Sequence, residues 1–268
     1  MVICREHNGA FVMVKQHDHG RLAGELAERF RSQQVPEPAQ RGEVLRAVAN
    51  HDRGWIDLDE TPFWNDAEGA PYTFIDFPVV PKLTFYHKGL DEIEADTPYG
   101  ALLCSLHFDR LIEVSGEDSP ELTRYREREE QRRARIRRDL EQTDPIGESE
   151  LYYDCRLLQF CDDLSLYMAL NEPGSPKSEE HPWWKDGFSG SEDFGFTDGR
   201  RITAEWQGVN KLLLDPFPFT EAVSVTLVLR RVPKAEVEAK GIARAYSDTP
   251  EMKYRIVVSG GRNTNNQP

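Results

Sequence analysis

Cysteine is scarce in this chain: Cys4, Cys104, Cys155 and Cys161 are spread over 268 residues. None belongs to a C-x-x-C pair, so a cysteine-based zinc site is disfavoured and the thiols are expected to be free and buried. Long apolar runs are also missing. Nothing approaches the about 20 consecutive residues that a membrane-spanning helix needs. The opening MVICREHNGAFVMVKQ lacks the apolar core and cleavage site of a signal peptide. A cytoplasmic protein is expected. Positive charge is outweighed, with 33 Lys and Arg against 47 Asp and Glu and a net charge of −14. Such a surface repels nucleic-acid phosphates and anionic membranes, so neither is an expected partner. A small phosphorylated molecule is not excluded, because a bound metal ion inverts the local field.

What the chain does contain is enough apolar material, 38% of its residues, for one large domain or one domain with an appended layer. Residues 1–15 read as a β-hairpin, Val2–Cys4 and Ala10–Val14 joined at Asn8-Gly9. A helix follows from Asp18 to about Phe30 with Leu22, Leu26 and Phe30 as its apolar stripe, and Pro36 and Pro38 break it. A second helix spans about Gln40–His51 and Gly54 ends it. Residues 53–80 form an aromatic-rich loop, read equally well as a pocket wall or as a loop pinned to the core. Helical patterns resume at Lys82–Ala95, Tyr99–Val114, about Pro120–Gln142 and Glu148–Leu170. The third of these is a solvated helix of paired charges. After Pro173–Pro176 the pattern turns strand-like at Ile202–Trp206, Lys211–Leu214, Ala222–Arg231 and Tyr254–Ser259. The division is therefore 1–15 hairpin, packing with a C-terminal sheet; 16–171 helical domain; 172–260 β-rich region; 261–268 disordered tail. The expected fold is mainly α, a helical bundle with a small appended antiparallel sheet.

In Glu148–Leu170, Leu151, Cys155, Leu158, Asp162, Ser165 and Ala169 recur at helical spacing and share one face. Asp162 is the carboxylate on that face, and a buried carboxylate needs a cation or a hydrogen-bond network. Asp163, one step round, is placed at the bundle surface. His19 shares the face of Leu22 and Leu26. His51 shares that of Val44 and Val48, with Asp52 next to it. His107 aligns with Leu103, Leu111 and Val114. Separate inward polar groups, all of metal-ligand type, are hard to bury unless they meet at one centre. His7, His87 and His181 are given no role, and Trp183-Trp184 is read as a loop anchor more than a pocket cover.

The order His, His-Asp, Asp on successive helices, in QHDHGRLAGELAERF, ANHDRGW and FCDDLSLY, resembles the HD superfamily of metal-dependent phosphohydrolases. The resemblance covers about residues 17–170. It implies an HD-like helical core that holds a divalent metal through His19, His51, Asp52 and Asp162. Two departures stand out: histidines occur at both 17 and 19, and no base follows His-Asp as in nucleotide-clearing members, Arg53 being directly adjacent. His107 has a counterpart in members that carry extra histidines and two metals.

A set of N and O ligands suits Mn²⁺, Fe²⁺, Co²⁺, Ni²⁺ or Zn²⁺, as one ion or two. The resemblance thus implies a hydrolase that acts on a small phosphorylated substrate through a metal-activated water. His107 and Asp18 are the candidate catalytic residues, with Glu25 and Asp163 as further proton carriers. A di-iron oxygenase on the same scaffold, and a non-catalytic metal-binding or partner-binding module, are the alternatives. Self-association is left open.

Overall fold

The computed structural model describes residues 1–31, 38–143 and 145–261. The break read at Pro36 and the disordered tail read at 261–268 lie, apart from Gly261, outside the described residues.

Asn8 and Gly9 take positive φ values of 48° and 72°, the conformation a tight two-residue hairpin turn requires. Strands β1 (Val2–His7) and β2 (Ala10–Lys15) therefore pair antiparallel, Val2 opposite Lys15. With no intervening loop the chain enters α1 (Gln16–Arg29). This helix starts two residues earlier than the sequence pattern suggests. The cause is remote: the Asp59 carboxylate accepts from the backbone N–H groups of Gln16 (3.0 Å) and His17 (2.9 Å). These are two of the donors that a helix start leaves unpaired.

Helix α2 (Pro38–Asn50) packs on α1. The approach is close because α1 carries glycine there: a Cβ on Gly24 would lie 2.7 Å from the Cβ of Ala49. A turn at Arg53–Trp55, the short α3 (Ile56–Asp59) and the ribbon of β3 (Trp64–Asn65) and β4 (Ala70–Pro71) follow. Helices α4 (Val79–Asp96), α5 (Pro98–Ser115), α6 (Pro120–Thr143) and α7 (Glu148–Leu170) complete the α layer. Thr97 caps α5 by accepting from Gly100 N–H at 3.1 Å, with Pro98 in the first turn and Gly116 left-handed at its end. The arginines of α6 are matched to carboxylates: Arg132 meets Asp91, Glu94 and buried Glu129, Arg135 meets Glu94, and Arg126 meets Asp109.

The C-terminal part adds β5 (Thr203–Trp206), β6 (Lys211–Asp215), β7 (Val223–Pro233) and β8 (Met252–Gly260). Two helices that the strand-like reading of this region did not foresee, α8 (Lys234–Lys240) and α9 (Ile242–Asp248), lie between β7 and β8.

A bundle with a small appended antiparallel sheet does not describe this fold. Helices make up 56% and strands 19%, and six strands form one curled half-barrel in the order β1-β2-β7-β8-β6-β5. β2 pairs with β7, and β6 runs parallel to β8, so the sheet is mixed. Where β2 lies, both faces of the sheet are covered. In β2, Val12 and Val14 join the helical core, while Phe11 and Met13 pack with Val237 and Tyr246 under α8 and α9. That alternation is the two-residue period of a strand buried on both sides. The helices α1 to α7 thus share one core with the inner face of the sheet, and α8 and α9 close a second, smaller one on the other face.

Candidate metal centre

His19 projects from the first turns of α1, His51 and Asp52 from the turn that ends α2, His107 from the middle of α5 and Asp162 from α7. The close α1–α2 contact sets the His19 and His51 rings edge to face with centroids 5.2 Å apart, and His107 stands 5.6 Å from His51. The ligand atoms of His19, His51 and Asp162 lie within 4.8 Å of one another, and all three residues are buried. This group could hold a metal ion.

The Nε2 atoms of His19 and His51 are 3.0 and 3.2 Å from Asp162 Oδ1, and His107 Nε2 is 3.3 Å from Oδ2. Asp52 Oδ2 stands a little back, 3.7 Å from His19 Nε2 and 3.8 Å from His51 Nε2. Asp18 is half-buried on α1 and is not among the residues lining the cavity above the cluster.

The hydrogen bonds behind the rings decide what faces inward. His51 Nδ1 is 2.7 Å from the Val48 carbonyl, which only accepts, so Nδ1 carries the proton. Ser165 Oγ lies 2.9 Å from the Asp162 carbonyl and 2.6 Å from His19 Nδ1; with the hydroxyl proton on the carbonyl, Nδ1 is the donor here too. In their neutral forms both rings turn an Nε2 lone pair toward a carboxylate that is itself an acceptor. His51 Nε2 is buried without a hydrogen-bond partner of good geometry. Acceptors gathered in this way are satisfied by a cation or by added protons, and a backbone carbonyl or hydroxyl behind each imidazole is the usual support of a metal-binding histidine. The residues present therefore fit a metal.

The electrostatics agree. Burial alone would lower the pKa of His51, yet the charges of Asp52 and Asp162 outweigh it and push it up to about 9. Burial likewise disfavours ionised Asp162, but His107, His19 and His51 hold its carboxyl well below the usual range. Without a metal, the cluster draws in protons as its positive charge.

The cluster lies at the buried end of a cavity of about 620 Å³. Asp163 lines it and is not turned to the bundle surface. Its Oδ1 accepts from Trp184 Nε1 at 3.2 Å, and burial together with the Asp162 charge raises its pKa to about 7. Trp55, Phe74, Trp183 and Trp184 line the cavity too. The Phe74 and Trp183 rings meet at 6.3 Å, so the aromatic loop after α3 touches the segment after α7. Leu111 and Val114 are 41% and 74% exposed on the cavity wall and do not continue the inward face of His107. Sequence reasoning missed Lys82 and Arg110, which also line the cavity. Arg110 lies one turn beyond His107, and that spacing was the available signal.

The family model described as "Protein of unknown function (DUF3891)" matches residues 2–234. The chain belongs to the DUF3891 family. The matched span contains the hairpin, α1 to α7 and β7, and with them every residue of the cluster. No curated protein and no solved structure matches the chain. No helix among the described residues is long and apolar enough to cross a membrane.

Proposed function

We propose that this DUF3891 protein is a metal-dependent hydrolase of small phosphorylated molecules, with His19, His51, Asp52 and Asp162 holding one divalent transition-metal ion in an HD-like arrangement. One observation carries the reading: two imidazoles, held from behind by the Val48 carbonyl and the Ser165 hydroxyl, aim their Nε2 atoms at one buried carboxylate, at the end of a cavity that also presents Lys82 and Arg110.

A divalent ion in that position supplies Lewis acidity, which lowers the pKa of water and polarises a phosphoryl oxygen. The chain's own residues do the rest. Lys82 and Arg110 attract the phosphate, and Arg110 offers it a planar array of donors. Asp163 Oδ2 is the carboxylate oxygen placed to exchange a proton with the substrate, Oδ1 being tied to Trp184. Asp18, outside the cavity lining, is not given that task. His107 supports Asp162 through its 3.3 Å contact and is the added nitrogen donor that a second ion would use. It is also what favours the di-iron reading, for which iron in the isolated protein and oxygen uptake would be the marks.

Elemental analysis of protein purified without added metal, followed by a phosphate-ester screen with Mn²⁺, Co²⁺ and Ni²⁺, tests the proposal. The expected result is about one ion per chain and phosphate release that is lost in Asp162→Ala. Phosphate release that survives in Asp162→Ala would overturn it.

A further inference from the structure

Four large apolar side chains that stand exposed, Ile75 (50%), Leu111 (41%), Val114 (74%) and Trp183 (50%), line the cavity that ends at the histidine–aspartate cluster. Exposed apolar residues scattered singly carry no message, but grouped round the mouth of a concave site they mark what enters it. Deeper in, Trp55 and Tyr86 continue the apolar wall.

Positive charge in the cavity is sparse and free. Lys82 and Arg110 are the Lys and Arg side chains among the lining residues. Lys82 Nζ reaches the Ile75 carbonyl at 3.5 Å, and Arg110 Nη1 donates to the Gln159 amide oxygen at 2.7 Å. Among the described residues neither has a carboxylate within ion-pair distance, in contrast to Arg132 on α6. Asp52, Asp162, Asp163 and Glu117 line the same cavity. The charge of an ion held by Asp52 and Asp162 is offset by those two carboxylates, so a triphosphate would still add more negative charge than Lys82 and Arg110 offset, whereas a single phosphate is matched by them. At about 620 Å³ the space exceeds what a bare phosphate fills and falls in the range of sites for ligands with an organic body.

We infer that the cavity takes a phosphomonoester of an apolar, ring-bearing alcohol, its phosphate answered by Lys82 and Arg110 and its organic body lying against Ile75, Leu111, Val114 and Trp183. The inference rests on the reading of this cavity as the substrate site and narrows it. Nucleoside triphosphates become poor ligands. Burying a ring against these walls strengthens binding by about tenfold or more over the same phosphate without it.

Titration calorimetry of the isolated full chain with 1-naphthylmethylphosphonate tests this, because the C–P bond resists hydrolysis and binding is read without turnover. The comparison ligands are methylphosphonate and the imido analogue of ATP. The naphthyl compound is expected to bind about tenfold or more tighter than either. Val114→Asp, at an exposed position, should remove most of that advantage; the charge it adds also weakens methylphosphonate, but by less. Arg110→Gln should weaken both phosphonates. Val209→Asp, at another exposed valine outside the cavity lining, should alter neither. Equal or tighter binding of the ATP analogue, or naphthyl binding indifferent to Val114→Asp, would overturn the inference. The two readings fail separately. The expected binding pattern with no phosphate ester hydrolysed removes the hydrolase and leaves the ligand class. Hydrolysis without preference for apolar bodies does the reverse.

Discussion

Ser165 Oγ lies 2.6 Å from His19 Nδ1, across the contact between α7 and α1. With the hydroxyl proton on the Asp162 carbonyl, Ser165 accepts from the ring, and this leaves His19 Nε2 free for a metal. Ser165→Ala removes that orientation while deleting a single atom. Metal affinity is expected to fall about 10- to 100-fold, as for other groups behind a ligating histidine. Competition titration against a chelating dye would measure it, with circular dichroism to verify that helical content is kept. Unchanged affinity would show that Ser165 does not set the ring.

Asp52→Ala should abolish retention of metal through purification and leave the helical content largely intact. Asp52 sits in the turn after α2, 13% exposed in its side chain, and no helix depends on it for a cap. Elemental analysis of the purified variant is the check, and full occupancy would remove Asp52 from the ligand set.

A pH effect arises away from the histidine–aspartate cluster. Asp154, 1% exposed, accepts from Tyr99 Oη at 2.6 Å, while its Oδ1 has no partner. Burial raises its pKa from 3.8 to about 6, against the opposing pull of the Tyr99 hydrogen bond. Between those values the native state holds a proton that the unfolded chain has released, so stability falls as pH rises through this window and the loss is complete above about pH 6. The conversion of pKa to free energy puts the loss at about 3 kcal/mol. Asp154→Asn keeps the Tyr99 acceptor and cannot ionise. Urea unfolding should find the variant more stable than the parent at pH 7 and the gap closed near pH 4. A constant gap across that range would contradict the assignment.

Gly54 is fixed by contact. A Cβ there would lie 2.2 Å from the Phe85 carbonyl oxygen, and one on Gly89 would lie 2.6 Å from Gly54 N. Gly54→Ala must push α4 away from the turn that carries His51 and Asp52. The expected destabilisation is about 1–3 kcal/mol or more, accompanied by weaker metal binding. Thermal unfolding with and without metal would read both. A variant as stable as the parent would mean that this approach is looser than described.

The sequence made the site more legible than the fold. Asp162, His19 and His51 could be found because each breaks an apolar helical face, and that signal is local. Asp163 was misplaced because a helical wheel shows only which way a residue points, and the segment of Trp184, which turns the outer face into a cavity wall, lies beyond the helix. Lys82 and Arg110 were passed over because a cation on a half-exposed face is unremarkable until the opposite wall is known. The sheet was underestimated for a related reason. The hairpin is read from the sequence as packing with the C-terminal sheet, but the parallel partnership of β6 with β8 has no adjacent turn to announce it. The capping of α1 by Asp59 is equally non-local, which explains why the start of that helix was read two residues late.

The direct passage from β2 into α1, with Lys15 the last residue of one and Gln16 the first of the other, couples the two layers mechanically. Each residue of a helix turns the chain by about 100°, so shifting β2 one position along β7 would swing the His19 imidazole away from its partners as well as exchange the strand's two faces. The ladder between Ala10–Met13 and Arg230–Pro233 therefore acts as a phase lock on a cluster residue that lies outside it. If the cluster holds an ion, substitutions that loosen this seam would impair its loading without touching any residue of the cluster.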